Sequence, residues 1–364
     1  MRKAGRTDFM PDEWLKVLSE LARAEAMTLQ QMARSFFVGA PQRCYRTVQG
    51  LEEAGLVLVK PNPLNPREKC VLPSQRGLDV VRPGVVGRSL SARRGQAGLV
   101  HCILASELRC RLLEHGLPSG SIMRRQEALA ALGVQPYHLP IVGLVEVGGR
   151  RWALYVRGSR TYRFLAGGIR RLSSTAVAGH LVFYADRKLY GADLTRMTER
   201  EAVPSAGFHV YLIESEFEAA VEMIRNPAGW LTVVEERMEA IAPGGRLVKA
   251  PRGCPADWLW DRGRNKALLL DLTGNNVHTA ALMRNMSLES IRPWGSAAVF
   301  LVRDKRHAER WARLLGYHSW QFVMLKDRPP ESSLFRLSGD APHLVPYTPK
   351  AVREGAELNA VRVK

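Results

Sequence analysis

Cysteine is scarce in the 364-residue sequence, and its spacing fits neither a metal ribbon nor a disulfide framework. A structural zinc site is recognised by closely spaced CxxC pairs, and small secreted scaffolds carry an even, dense set of cysteines. This chain has an odd number with no CxxC pair, namely Cys44, Cys70, Cys102, Cys110 and Cys254. We therefore predict no metal ribbon and expect a reducing, cytoplasmic setting.

Long apolar runs are also missing from the sequence. No stretch approaches the roughly 18 consecutive apolar residues that a membrane-spanning helix needs. The basic pair Arg2-Lys3 is not followed by the apolar segment of a secretory signal. We therefore predict a soluble protein without a membrane partner.

The common signatures of catalysis are absent as well. The sequence has no GxGxxG, no P-loop lysine pattern and no GxSxG, and its nine histidines include no HxxxH or HxH pair. Carboxylates at predicted strand ends are a weak catalytic set, because such groups usually cap the backbone or face solvent. They are Glu146, Asp186, Asp271 and Asp304. We predict no cofactor and no metal.

Basic residues, in contrast, are abundant and unevenly distributed. The formal net charge is +18, of which residues 1–175 carry +14 and the remaining 189 residues only +4. A strongly basic segment attracts polyanions over a long range. The first half of the chain is therefore predicted to bind nucleic acid.

The stretch from Met27 to Leu72 has the pattern of a helix-turn-helix followed by a β-wing. Thr28 is a suitable N-cap for a short helix, residues 36–40 turn the chain, and Pro41 suits the first position of the next helix. Together with a first helix over residues 11–26, this order predicts a three-helix core with a hairpin.

The second helix of this motif, residues 41–53, is predicted to carry the DNA contacts. Cys44, Val48 and Leu51 lie at i, i+4 and i+7 and would face the core. The opposite face has side chains of the kind that hydrogen-bond base edges and phosphates. The predicted contacts are Gln42, Arg43, Tyr45, Arg46 and Gln49.

The wing is predicted as strands over 56–60 and 67–72, joined by a proline-rich tip over 61–66. Proline would make such a tip rigid. Three cations on it are expected to contact the DNA backbone or the minor groove, namely Lys60, Arg67 and Lys69.

We predict an α+β N-terminal winged helix followed by an α/β mixed-sheet domain or domains. The predicted boundaries are 1–81 for the winged helix, 82–98 for a Gly/Arg-rich linker, 99–242 for an α/β domain, 243–327 for its continuation or a third sub-domain, and 328–364 for an irregular tail. In the second half we expect helices at 99–115, 121–132, 216–226, 276–286 and 305–316, a hairpin at 141–147 and 152–156, and strands at 181–185, 209–214, 267–271, 297–302 and 322–325.

The layout resembles that of the replication-relaxation family of plasmid and conjugative-element proteins over residues 8–215. The matching pieces are the winged-helix pattern, a helix opening at Leu99, the hairpin around residues 139–159 and the strand at 179–186. The resemblance implies a restriction-endonuclease-like α/β domain of the PD-(D/E)xK type after the winged helix. It also implies a metal-holding carboxylate set on the hairpin.

The sequence departs from that carboxylate set. The expected Pro-Asp is Pro140-Ile141, and the acidic positions of the second strand fall on Tyr155 and Arg157. Neutral and cationic side chains do not bind a hard divalent cation. The resemblance therefore predicts a degenerate, nuclease-like domain used for binding or assembly.

Basic residues cluster around the same hairpin, and alternation along a strand places Arg151, Tyr155 and Arg157 on one face. With Arg150, they are predicted to extend the DNA footprint beyond the winged helix.

We therefore expect a non-catalytic protein that binds double-stranded DNA in a sequence-specific or structure-selective way. Its expected role is that of an accessory or regulator in the replication, transfer or transcription of a mobile element, with replication or relaxase machinery as a partner and a homodimer left open. One alternative is a metal-dependent nuclease or nicking enzyme whose acids lie elsewhere. The other is a plasmid or phage replication initiator with tandem winged helices, the second over 101–132 with a wing from the 141–157 hairpin.

Overall fold

The structure, a computed structural model, describes residues 10–81, 95–134, 139–158, 162–172, 177–184, 186–199, 208–211, 214–273, 288–315, 321–325, 334–338 and 343–346. These residues form a mixed α+β fold with 12 α-helices and three sheets. The chain divides into two compact units: Met1–Glu146, Ala153–Gly168 and Phe183–Ala185 form unit 1, and Val147–Trp152, Ile169–Val182 and Asp186–Lys364 form unit 2.

The N-terminal part of unit 1 alternates helices and strands in a compact order. Its elements are α1 (Asp12–Ala24), β1 (Met27–Thr28), α2 (Leu29–Phe36), α3 (Pro41–Glu53), β2 (Val57–Asn62), β3 (Asn65–Pro73) and α4 (Gln75–Val81). The strands form an antiparallel sheet in the order β1-β3-β2. The three helices predicted for this part are thus present, and the first ends two residues earlier than expected.

Local sequence signals account for the ends of these helices. The Thr28 hydroxyl accepts the Gln31 N–H at 3.1 Å, and the Gln31 side chain accepts the Thr28 N–H at 3.0 Å, which is a capping box at the start of α2. Pro41 is the first residue of α3. After α3, Gly55 adopts φ +70°, a conformation that other residues disfavour.

The helices and the sheet enclose an apolar core that includes Leu18, Leu21, Met32 and Leu51, all fully buried. Helix α1 buries Val17, Leu18, Leu21 and Ala22, whereas its Leu15 is 38% exposed.

The next helix, α5 (Gln96–Glu114), continues this core instead of opening a separate domain. Its Cys110 belongs to the same apolar cluster as α1–α3, and its Cys102 and Ile103 pack with residues of β3. The boundary predicted at 82–98 therefore does not separate α5 from the N-terminal part of unit 1. Residues 82–94 of that predicted linker lie outside the described residues.

A network of charged side chains joins α5 to α2. Arg34 donates to both Glu107 oxygens at 3.0 Å and to the two Glu114 oxygens at 2.5 and 2.7 Å. Gln31 donates to the Ile103 carbonyl and to Glu107, each at 3.1 Å. Burial opposes ionisation of Glu107, but hydrogen bonds and charge from Arg34 outweigh it and lower the pKa of this carboxyl.

Five strands form the second sheet, in the order β4 (Ile122–Arg124), β5 (Ile141–Val147), β6 (Arg150–Arg157), β7 (Gly179–Tyr184) and β8 (Phe208–Tyr211). The helices along this part of the chain are α6 (Arg125–Ala131), α7 (Tyr162–Leu172), α8 (Arg187–Glu199) and α9 (Glu214–Arg225). The predicted hairpin at 141–157 is present. The predicted helix 121–132 begins only at Arg125, because residues 122–124 pair with β5.

The third sheet lies in unit 2 and mixes parallel and antiparallel pairs. Its elements are α10 (Pro227–Ile241), β9 (Arg246–Lys249), β10 (Trp258–Arg262), β11 (Asn265–Asp271), α11 (Leu288–Ile291), β12 (Ala297–Val302), α12 (Lys305–Leu315), β13 (Gln321–Met324), β14 (Leu334–Ser338) and β15 (His343–Pro346). The strand order is β15-β14-β13-β12-β11-β10-β9, and only the β11-β12 and β12-β13 pairs are parallel.

The predicted strands at 267–271, 297–302 and 322–325 and the helix at 305–316 are present, and Trp311 of α12 is fully buried. The tail from 328 was expected to be irregular, and this was wrong for β14 and β15. Among the described strands, β15 lies at the edge of its sheet, where proline is tolerated, so Pro346 is compatible with a strand. The helix predicted at 276–286 lies outside the described residues.

Candidate nucleic-acid interface

Helix α3 has one buried stripe and one polar, exposed face, as the spacing of its apolar residues predicts. Cys44, Thr47, Val48 and Leu51 are buried. The exposed positions are Gln42, Arg43, Tyr45, Arg46, Gln49, Glu52 and Glu53. Tyr45 is 52% exposed, which is unusual for so large an aromatic side chain. All five predicted contacts of this helix are therefore accessible to a ligand.

The five side chains differ in whether another residue of the chain already forms a hydrogen bond or an ion pair with them. Gln49 donates to Glu53 at 2.9 Å, one turn further along the helix. Within the described part of the chain, no hydrogen bond or ion pair engages the side chains of Gln42, Tyr45 or Arg46. The first half of α3 thus offers donors that are free to bind a partner, and its second half ends in two exposed carboxylates.

Arg43 is the exception in the first half, because it is paired with Glu13 of α1. The other oxygen of the same carboxylate accepts the Thr47 hydroxyl at 2.8 Å. The hydrogen bond from Thr47 and the charge of Arg43 outweigh desolvation and lower the pKa of Glu13. Arg43 and Thr47 are four residues apart and so lie on the same side of α3.

That side of α3 is the flank against which α1 packs. A Cβ at Gly50 would lie 2.6 Å from Cζ2 of Trp14, so glycine is needed for this close approach. Arg43 therefore belongs to the flank between α1 and α3, and Arg46 to the middle of the exposed face. Sequence reasoning missed Glu13, because it lies 30 residues before Arg43 and no local pattern joins them.

The β2–β3 hairpin has longer strands and a shorter turn than predicted. Residues 61–66 were expected to form its tip, but pairing continues to Asn62 and Asn65, so only Pro63 and Leu64 turn the chain. Along the hairpin, the three predicted cations are all exposed, namely Lys60, Arg67 and Lys69.

Asn62 braces the tip of this hairpin. It is only 3% exposed, donates to Glu68 at 2.8 Å and accepts the Leu64 N–H at 2.9 Å. A side chain bonded to both strands and to the turn restricts the motion of the tip. The hairpin therefore presents its cations from a rigid support.

The β5–β6 hairpin was predicted to have a basic, exposed face, and this prediction was wrong for Tyr155 and Arg157. Arg157 is only 6% exposed and donates to the Gly158 carbonyl at 3.0 Å, and Tyr155 is fully buried, which raises the pKa of its hydroxyl. The reason is that β6 is the middle strand of its sheet and is buried from Trp152 to Arg157. Arg150 is exposed and Arg151 is half-buried.

Three of the carboxylates considered for catalysis accept hydrogen bonds from other residues of the chain. Asp271 accepts from Trp230 at 3.3 Å and from the Thr273 N–H at 2.8 Å, Asp186 accepts from the Lys188 N–H, and Asp304 accepts from the His307 N–H. Burial raises the pKa of Asp271. Over the described residues, no group of three or more His, Cys, Asp or Glu side chains is placed to hold a metal.

The segment proposed as a second helix-turn-helix differs from that motif. Residues 115–124, which include strand β4, separate α5 from α6, whereas a helix-turn-helix has a turn of about three to four residues. Helix α6 has seven residues, and its partner strand β4 pairs with the first strand of the following hairpin. In the N-terminal part, by contrast, the short strand β1 pairs with the second strand of the following hairpin, β3. The two segments therefore differ in how their strands pair.

No family model, curated protein or solved structure matches the chain. Across the described residues, no helix combines the length and the apolar character required to cross a membrane.

Proposed function

We propose that residues 12–73 form a winged helix that binds double-stranded DNA, with α3 in the major groove and the β2–β3 hairpin as the wing. The observation that carries this proposal is the group of uncommitted donors on the first half of α3, beside a braced hairpin with three exposed cations. In helix-turn-helix proteins, the first residues of the recognition helix contact the bases. Gln42, Tyr45 and Arg46 occupy those positions here.

The order of the elements supports the same proposal. Helix, strand, two helices and a hairpin follow one another, and the residues between α2 and α3 number four, as a helix-turn-helix requires. Cations on the wing suit the phosphate backbone, since their attraction does not depend on base sequence. We assign base contacts to α3 and backbone contacts to the wing.

A non-catalytic accessory or regulatory role in a mobile element is also our proposal, and it depends on the resemblance of layout to the replication-relaxation family. The local hydrogen bonds of Asp186, Asp271 and Asp304 favour structural roles for these carboxylates. Incubation with supercoiled plasmid and Mg²⁺ or Mn²⁺ should therefore leave the plasmid intact. Nicking that requires the metal would replace this proposal by the nuclease alternative.

Binding to DNA is tested with the full chain and a labelled duplex, by fluorescence anisotropy at several salt concentrations. The affinity should fall steeply as salt rises, because cations that contact phosphates release counterions. Selection from random and plasmid-derived fragments should then enrich a common sequence or structure. Absence of binding at low salt would overturn the proposed function.

Arg46 and Arg43 provide a matched pair for this site, since both are exposed arginines of α3. Arg46→Ala should weaken binding to the selected duplex by about 5- to 150-fold, the cost of one bidentate base contact. Arg43→Ala should change affinity less than threefold, because Glu13 already engages this side chain. Equal losses in the two variants, measured in the same anisotropy titration, would contradict the division between exposed face and flank.

A further inference from the structure

Arg43 lies at a position from which an unpaired cationic side chain would contact the phosphates of DNA of any sequence. It is the third residue of α3, at the end of the helix where the helix dipole favours negative charge, and its side chain is 66% exposed. A guanidinium bound to phosphate adds affinity without adding information about sequence. Yet this side chain is paired with a carboxylate of the same unit.

The carboxylate is held in place from two sides. Glu13 lies on α1, which packs closely against α3 through Trp14 and Gly50. One of its oxygens accepts the hydroxyl of Thr47, a residue only 6% exposed, and the other contacts Arg43. The hydrogen bond from Thr47 restricts rotation of the Glu13 side chain, so the other carboxylate oxygen remains in contact with Arg43.

We infer that Glu13 limits the sequence-independent affinity of the chain for DNA, because it pairs with Arg43 in place of a phosphate and so keeps this side chain from the DNA backbone. This inference rests on the proposed DNA binding. Glu13 repels a phosphate that approaches the flank of α3 and competes with it for the guanidinium. The result is weaker binding to duplexes of any sequence, and the base contacts are left to the exposed face of α3.

Glu13→Gln is the discriminating variant, because the amide oxygen keeps the acceptor for Thr47 and the charge that pairs with Arg43 is lost. Affinity for an unrelated duplex should rise about two- to fivefold, the range of an exposed ion pair. One additional phosphate contact should also make the slope of log K against log salt steeper by about 0.9. Partial unfolding would do the opposite, since it lowers the affinity.

Two further variants separate the inference from a general effect of charge. Asp12→Asn removes the same charge from the neighbouring, exposed position of α1, and it should leave the salt slope unchanged. In the double variant Glu13→Gln/Arg43→Ala, the steeper slope should disappear, because the released cation is gone. Because a phosphate contact does not depend on base sequence, the affinity of Glu13→Gln for the selected duplex should rise by a similar factor.

Two outcomes would overturn the inference alone: a slope for Glu13→Gln equal to that of the unmodified chain, or a steeper slope that persists in the double variant. In both cases, binding by the unmodified chain and its loss in Arg46→Ala would leave the proposed function standing. If no variant binds a duplex at low salt, the proposed function and the inference fail together.

Discussion

Replacement of Lys60, Arg67 and Lys69 together by glutamine should lower the affinity for duplex DNA about 500-fold at about 0.1 M salt. The three cations are exposed along a braced hairpin, and each is expected to displace close to one counterion from the DNA. The salt slope should therefore fall in magnitude by about 2.7. Anisotropy titrations at four or more salt concentrations measure both quantities.

The control for this variant removes the same charge from unit 2. Arg252, Arg262 and Arg264 are exposed there, and their combined replacement by glutamine should change the slope by less than half a counterion. Equal changes in the two triple variants would mean that net charge alone attracts DNA, and the assignment of the hairpin as a wing would be wrong.

Replacement of Arg34 by alanine should have the largest effect on stability, about 2 to 3 kcal/mol lower free energy of unfolding. The variant leaves Glu107, which is mostly buried, and Glu114 without the cation that bonds to both. The loss should be smaller than that of a fully buried pair, because Arg34 itself is 31% exposed. Urea unfolding followed by circular dichroism measures it.

Arg23→Ala is the matched control, since Arg23 pairs with Glu20 one turn away and is 54% exposed. Its cost should be less than about 0.5 kcal/mol, as for other exposed pairs within one helix. A comparable loss in both variants would show that the contacts of Arg34 with α5 contribute no more to stability than an exposed ion pair within one helix.

The same ion pair predicts how stability depends on pH. The pKa of Glu107 is lowered in the folded chain, so its contribution is complete above the unfolded value and is lost as the pH falls through the folded value. The advantage of the unmodified chain over Arg34→Ala should thus begin to shrink as the pH falls below about 4, the ordinary range of a glutamate. A difference between the two that does not shrink as the pH falls from 7 to 2 would contradict this explanation.

Much of the N-terminal part of the fold follows from local sequence. Thr28 and Gln31 cap a helix with their own backbone groups, Pro41 suits the start of the next helix, and the spacing of Cys44, Val48 and Leu51 determines which side of α3 is buried. These signals act within a few residues, so no knowledge of the rest of the chain is needed. The exposed face of α3 could therefore be predicted residue by residue.

The β5–β6 hairpin shows where such reasoning stops. Its strands and its turn were predicted correctly, but alternation cannot tell whether a strand lies at an edge or in the middle of a sheet. Strand β7, which pairs with β6 on its other side, follows only after helix α7, and both faces of β6 are buried from Trp152 onward, including Tyr155 and Arg157, which had been assigned to an open face. The inclusion of α5 in unit 1 escaped prediction for the same reason.

The sequence by itself thus determined which side chains of α3 are exposed and which cations the hairpin carries, since both depend on periodicity and turn chemistry over short distances. Only the tertiary structure decided which of them are available. Packing of α1 on α3 brings Glu13 to Arg43 and leaves Arg46 unpaired among the described residues. The physical reason is that an ion pair depends on the separation of its charges in space, whereas helical periodicity depends on separation along the chain.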